Sequence, residues 1–160
     1  MNELEKIYKK NIELDNKFTE KYSSDPLIYE KNCIELLVEL GEFTNETKCF
    51  KYWTIKSPDK EKMLDEYADC ITMGLYFLGY IHGSLDNLPE PQKVNNVLEA
   101  LNYIYAKSTL LYNNKDERII KDILSNILNI RTYLNITEEE VYNACHKKQD
   151  VVFERLNSEY

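Results

Sequence analysis

Two acidic pairs, each set in an otherwise apolar stretch, constrain the fold of this chain more than any other feature. Glu39 and Glu42 are three residues apart, and so are Glu66 and Asp69. On an α-helix such residues share a face, with Cβ atoms roughly 5–6 Å apart. A hairpin of two helices would therefore bring four carboxylates together. Because enclosed carboxylates are costly unless a cation meets them, the pattern predicts a cation site inside a helical bundle.

Apolar residues recur at helical spacing along the chain, with only 4 glycines and 4 prolines to interrupt them. We therefore predict an all-α fold, a single-domain bundle of about six helices over residues 1–160. The predicted helices are 2–22, 26–45, 57–81, 94–111, 119–128 and a last helix that starts at Thr137. Ser23, Ser24 or Asp25 can cap the second helix, and Thr137 with Glu140 forms a capping box. Since the second helix is hydrophobic most of the way round, we expect it to be largely enclosed.

Composition narrows the class of protein. The net charge of −8 over 160 residues argues against nucleic acid as a partner. The chain shows no signal peptide and no apolar run long enough to span a membrane, which indicates a cytoplasmic protein. Its scattered cysteines are typical of reduced thiols. They are Cys33, Cys49, Cys70 and Cys145.

The oxygen-rich ligand set favours magnesium, or manganese, over other metals. A di-iron carboxylate bundle would need Glu-x-x-His, but His82 and His146 follow Gly79 and Asn143 at that spacing. Zinc lacks a suitable ligand pattern, and no glycine-rich phosphate loop is present.

A basic, aromatic stretch at 47–57 separates the two acidic helices. Its side chains combine cations suited to phosphate with ring faces suited to a base. They are Lys48, Lys51, Lys56, Phe50, Tyr52 and Trp53. The alternative interpretation is a solvated loop whose tryptophan fills the core.

Two further pairs allow both a structural and a binding interpretation. Asn11 lies on the apolar face of the first helix, with Asp15 one turn further on. Asn11 is either a satisfied buried amide or a ligand-binding group. Lys148 and Arg155 share a face of the last helix, as phosphate-binding groups or as solvated cations near a helix C-terminus.

The segments VELGEFTNETKCFKYW (38–53) and DEYADC (65–70) closely resemble the all-α, dimeric type of dUTPase. That family is related to the MazG-like nucleotide pyrophosphohydrolases. NIELD (11–15) is similar to its first motif, and KKQDVVFERLNSEY (147–160) to its last. The likeness thus touches both ends of the chain and most of the centre.

The resemblance implies hydrolysis of dUTP to dUMP and pyrophosphate by a magnesium-dependent homodimer, with dUDP as a further substrate. Four residues would bind the metal: Glu39, Glu42, Glu66 and Asp69. Glu42 or Glu39 would also orient and deprotonate the attacking water. Three cations match phosphate-binding positions: Lys51, Lys148 and Arg155. Three residues match positions that hold uracil and sugar: Asn11, Asp15 and Trp53.

The chain also departs from the family pattern. Asn11 stands where the family usually has Gln, and Val152 where it usually has Asn. Two alternatives therefore remain open, a broader MazG-like dNTP pyrophosphohydrolase and a helical protein-binding module with a vestigial site. The sequence also leaves open whether Glu35 and Glu46 are ligands, supporting groups or surface residues.

Overall fold

The computed structural model of the chain describes residues 2–22 and 25–158, and its regular structure within these ranges is entirely helical. Six α-helices follow one another in the described parts of the chain. They are α1 (Glu3–Tyr22), α2 (Ile28–Thr47), α3 (Lys60–Tyr80), α4 (Val97–Ser108), α5 (Glu117–Asn129) and α6 (Glu138–Asn157). Short 3-10 turns follow α4 and α5, at Thr109–Asn113 and Ile130–Tyr133. The predicted all-α fold class is confirmed.

Helix α3 is the centre of the bundle and packs against α1, α2, α5 and α6. Tyr67 stacks on Phe43 of α2 with ring centroids 4.9 Å apart, and its hydroxyl donates to the Ile127 carbonyl at 2.6 Å. Gly74 lets α5 approach closely, because a Cβ there would lie 3.1 Å from Leu124 Cδ1. Since neighbours on several sides fix α3, they also fix the acidic side chains that it carries.

The helix ends follow local hydrogen-bonding rules. Helix α2 begins and ends two residues later than predicted. Asp25 does not cap it, because the N-cap residue is Leu27 and α2 has no side-chain cap hydrogen bond; the Asp25 side chain accepts from the Leu27 amide just before the helix. Asp59 caps α3 by accepting from the amides of the next turn. The capping box of Thr137 and Glu140 at the start of α6 is confirmed. Ser23 and Ser24, the other predicted caps of α2, lie outside the described residues.

Helix α2 is enclosed on one side only, which differs from our expectation. It packs against α3, α4 and Thr109–Asn113, and these neighbours cover its core-facing side. The opposite side presents Ile34 and Val38, together with the N-cap residue Leu27; Leu27, Ile34 and Val38 are 54%, 53% and 51% exposed. We call these three residues the α2 apolar stripe. The hydrophobicity of α2 thus exceeds what the fold of one chain buries.

All four cysteines are free thiols, and Cys33, Cys70 and Cys145 are buried. None of the helices in the described parts of the chain has the length and apolar character needed to cross a membrane.

Candidate active site

Three carboxylates converge where α2 faces α3. Side-chain oxygens of Glu39 and Glu42 on α2 and Glu66 on α3 all lie within 4.8 Å of one another. We call these residues the acidic cluster. Asp69, the fourth predicted ligand, lies one turn beyond Glu66 but is not in this cluster. Its Oδ2 is instead 2.7 Å from Lys148 Nζ on α6.

Burial and the neighbouring negative charges raise the pKa values of Glu39 and Glu66. Burial raises the pKa of Glu39 to about 7, and the charges of Asp69 and Glu42 add to the effect. Burial, followed by the charges of Glu42 and Asp69, also raises the pKa of Glu66. A divalent cation would relieve this repulsion, and a set of hard carboxylate oxygens suits magnesium or manganese. The residues present therefore fit the metal that the sequence predicts.

A pocket opens beside the acidic cluster, with α1, α2, α3 and α6 forming its walls. Asn11, Asp15 and Lys148 line it together with Glu39 and Asp69. Glu39 belongs to both the pocket and the cluster, so the two are directly continuous. Five of the ten predicted site residues therefore meet in this pocket, although they come from four separate helices.

The inner end of the pocket is rich in hydrogen-bond acceptors. Asn11 is buried, and its Nδ2 donates to Asp15 Oδ2 at 2.9 Å and to the Thr72 carbonyl at 3.3 Å. Burial raises the pKa of Asp15 to about 7, and the nearby charge of Glu35 contributes. Asn11 is thus a hydrogen-bonded buried amide, as one of the two interpretations predicted, and it also lines the pocket.

Lys148 is held at the edge of the pocket by two carboxylates of α3. Its Nζ lies 2.7 Å from Asp69 Oδ2 and 3.0 Å from Asp65 Oδ2. Although burial opposes the charge, these contacts raise the pKa of Lys148 above its ordinary value. The lysine is therefore a fixed cation between the pocket and α3.

The loop between α2 and α3 carries its aromatic side chains in solvent. Trp53 is 65% exposed, with ring centroids 6.0 Å from Phe50 and 5.2 Å from Tyr52, both edge to face. Lys51 Nζ lies 5.7 Å from the centroid of the Phe50 ring. Trp53 does not fill the core, contrary to one of the two interpretations of this stretch. Neither Lys51 nor Trp53 lines the pocket.

Arg155 is exposed in the last turn of α6, one turn beyond Val152, which lines the pocket. It forms no ion pair with any residue in the described ranges 2–22 and 25–158. Arg155 therefore shares the face of α6 that carries Lys148 and Val152, but it does not itself line the pocket. Glu159 and Tyr160, which end the predicted last motif, lie outside the described residues.

Comparison with known protein families supplies the decisive observation. A family described as dUTPase matches residues 3–160 of this chain. The chain belongs to the dUTPase family. The match spans all six helices, the acidic cluster and the pocket, and it confirms the resemblance inferred from the motifs. Among curated proteins, no match to the chain was found.

In this dUTPase-family chain, the structure also identifies pocket residues that sequence reasoning missed or left undecided. Gln149 is buried, its Nε2 donates to the Ile7 carbonyl at 2.8 Å, and its Oε1 has no partner among the described residues. Asn32 and Glu35 also line the pocket. The spacing of Asn32, Glu35 and Glu39 along one face of α2 was a usable signal. Nothing comparable marked Gln149.

Glu46 lies elsewhere in this dUTPase-family site. It lines a shallow groove with Glu42 and Glu66, on the side of the acidic cluster away from Asp69, and is not part of the cluster itself. Glu35 and Glu46 therefore lie on opposite sides of the cluster, one in the pocket and one in the groove.

Proposed function

We propose that residues 3–160 form one catalytic domain that hydrolyses dUTP to dUMP and pyrophosphate with magnesium. The observation that carries the proposal is the position of Glu39, which belongs to both the acidic cluster and the neighbouring pocket. A nucleotide with its nucleoside in the pocket would direct its phosphates past Glu39 toward the cluster. The family match supports dUTP as the substrate.

Glu39, Glu42 and Glu66 would hold magnesium or manganese, and Asp69 would join them on release from Lys148. Their oxygens lie close enough together to share a cation, and Asp69 is one turn away on α3. Bound there, the metal supplies positive charge against the phosphates and makes a nearby water more acidic.

We assign Glu42 as the group that orients the attacking water and accepts its proton, with Glu39 as the other candidate. Glu42 is the exposed member of the acidic cluster, so solvent reaches it, whereas Glu39 faces the enclosed pocket. A carboxylate within hydrogen-bond reach of the water is the geometry that general base catalysis needs.

The cations and Trp53 would surround the substrate from outside the cluster. Lys148 is already at the pocket edge, and Arg155 follows it along α6. Lys51 and Trp53 lie on the loop between α2 and α3, outside the pocket lining, and would contact the nucleotide from that loop. Asn11 and Asp15 would bind the base and sugar through hydrogen bonds. dUDP shares the bond that is broken, so it is a second expected substrate.

We further propose that the functional unit is a homodimer. The α2 apolar stripe is exposed in one chain and lies next to the groove that Glu42 and Glu66 line, since Val38 belongs to both. A second copy seated on this stripe would bury apolar surface that is otherwise exposed to water.

The proposal is tested by measuring magnesium-dependent pyrophosphate release over all common nucleoside triphosphates. We expect the highest kcat/KM with dUTP and little turnover in EDTA. Comparable efficiency with dCTP would replace the narrow substrate with a broader dNTP class. A folded chain that releases no pyrophosphate from any nucleotide would contradict the enzymatic function and favour a binding module.

Glu42→Gln should fold normally and lose roughly 10²-fold or more in kcat, because it removes the proton acceptor. Glu46→Gln is the matched control, since it makes the same change one turn along α2 in the same groove. It should keep most of its turnover. Near-wild-type activity of Glu42→Gln would show that Glu42 is not the proton acceptor.

A further inference from the structure

Lys148 contacts two carboxylates of α3, and the proposed function gives a role to only one of them. Its Nζ meets Asp69, a candidate metal ligand, at 2.7 Å and Asp65 at 3.0 Å. Asp65 lies one turn before Asp69 on α3 but is outside the acidic cluster and does not line the pocket. Neither metal binding nor nucleoside binding therefore accounts for Asp65.

The contacts of Lys148 with Asp69 and with Asp65 would differ once a metal ion is bound. A divalent cation bound to Asp69 would repel the Lys148 ammonium group and share the charge of the Asp69 carboxylate, so the contact between Lys148 and Asp69 would weaken. Asp65 is not a candidate metal ligand, so its contact with Lys148 would not weaken in this way. Its carboxylate can hold Lys148 against α3 while Asp69 binds the metal.

We propose that Asp65 is a positioning residue that anchors Lys148 at the pocket edge, ready to meet the substrate phosphates. The inference rests on the proposed function, in which Lys148 binds the triphosphate. A lysine side chain loses much rotamer freedom when it binds a ligand, and one that is held in place beforehand loses less. The side chains of Lys148 and Asp65 are 19% and 48% exposed, so solvent screens this half-buried contact less than it screens a fully exposed surface pair.

The same two helices provide a matched comparison. Lys147 Nζ lies 3.6 Å from Glu61, one turn before Asp65 on α3, and these side chains are 67% and 86% exposed. Glu61 therefore has the charge and helix of Asp65 but pairs with a lysine outside the pocket. Glu61→Gln controls for a general loss of negative charge near the site.

The direction of the effect separates anchoring from simple electrostatics. Removing a negative charge should tighten the binding of an anionic triphosphate if charge alone matters. Releasing Lys148 from a competing carboxylate would act in the same direction. Loss of an anchor does the opposite and weakens triphosphate binding.

The experiment measures the binding of α,β-imido-dUTP and of dUMP by calorimetry in magnesium. The variants are Asp65→Asn, Lys148→Met, the double variant and Glu61→Gln. We expect Asp65→Asn to weaken binding of the imido triphosphate about 3- to 10-fold and to leave dUMP binding within about 2-fold, a coupling of ordinary size for contacting residues. Glu61→Gln should not weaken either ligand.

The double variant tests whether Asp65 acts through Lys148. Asp65→Asn should add nothing further in the Lys148→Met background, and Asp65→Glu should restore most of the binding. Asp65→Ser replaces Asp65→Asn if the latter fails to fold by circular dichroism.

Three outcomes are decisive. Unchanged or tighter binding by Asp65→Asn, with clear weakening by Lys148→Met, would overturn the anchoring role and leave the proposed function intact. An equal loss in the presence and absence of Lys148 would also overturn it. If Lys148→Met itself has no effect on the triphosphate, the phosphate-binding role in the proposed function fails instead.

Discussion

At the scale of single residues, Asp15 has an unfavourable environment for stability and a useful one for binding. Burial raises its pKa from 3.8 to about 7, while the hydrogen bond from Asn11 opposes this rise. The folded protein therefore binds a proton more tightly than the unfolded chain between these two values. Stability from this group is fully present below pH 4 and is lost as pH rises through 7.

Asp15→Asn should consequently stabilise the protein at pH 8 and have little effect at pH 4. A shift of one pKa unit corresponds to about 1.4 kcal/mol, and water at the open side of the pocket screens part of it. We expect a gain of roughly 1–3 kcal/mol in the free energy of unfolding at pH 8, measured by urea denaturation without metal. Binding of dUMP should weaken in the same variant.

Asp150 provides a control of opposite sign. Its side chain is exposed, and the hydrogen bond from Lys10 lowers its pKa. Its contribution is present at neutral pH and is lost in acid, so Asp150→Asn should not stabilise the protein at pH 8. If both variants gain stability equally there, general charge repulsion explains the result and the local environment of Asp15 does not.

The sequence predicted residues on shared helix faces better than residues that meet across helices. The spacing of Glu39 and Glu42 fixed their common face, and a hairpin then placed Glu66 beside them. The pairing of Asp69 with Lys148 could not be predicted, because it depends on how α6 packs on α3. The hydrogen bond of the Gln149 amide could not be predicted for the same reason, since its acceptor is the Ile7 carbonyl of α1.

At the scale of elements, the loop between α2 and α3 carries two proposed substrate-binding residues, Lys51 and Trp53, that lie outside the pocket lining. Lys48 ends α2 with φ of 55°, and its Nζ donates to the Ser57 carbonyl at 2.7 Å, which ties the two ends of the loop together. Glycine or asparagine usually occupies this left-handed backbone conformation at a helix C-terminus, so a lysine there does not mark the helix end in the sequence. This explains why α2 runs two residues further than predicted.

Trp53→Ala should raise the KM for dUTP more than it lowers kcat, because the ring is expected to cover the base and not to take part in chemistry. The melting temperature should hardly change, since Trp53 is 65% exposed and contributes little to the core. Steady-state kinetics and thermal denaturation check both expectations.

Tyr112→Ala is the control for loss of an exposed aromatic ring. Tyr112 is 50% exposed and lines neither the pocket nor the acidic cluster. It should leave KM unchanged. An unchanged KM for Trp53→Ala as well would remove the loop from the binding site and leave its aromatic residues without a role in catalysis.

At the scale of the whole molecule, the chain is more hydrophobic on α2 than its own fold requires. The hydrophobic periodicity of 26–45 predicted the helix correctly. It could not show which apolar residues the chain itself buries. In the structure the core-facing residues of α2 are buried, whereas the α2 apolar stripe is exposed. The homodimer is a proposal that the family resemblance suggested, and the α2 apolar stripe is the surface on which we place it.

Ile34→Asn combined with Val38→Asn should convert a dimer into a monomer that keeps its helical circular dichroism spectrum. Both side chains are about half exposed in the single chain, so the change removes apolar contact with a partner and little of the core. Sedimentation should give twice the 19.0 kDa chain mass for the wild type and the single mass for the variant.

Leu98→Asn with Leu110→Asn is the control, since these residues are 49% and 46% exposed on other segments. Turnover should fall only in the α2 variant, because Val38 borders the groove of Glu42 and Glu66. A wild type that sediments as a single chain, or an α2 variant that stays dimeric, would show that the stripe is not the interface.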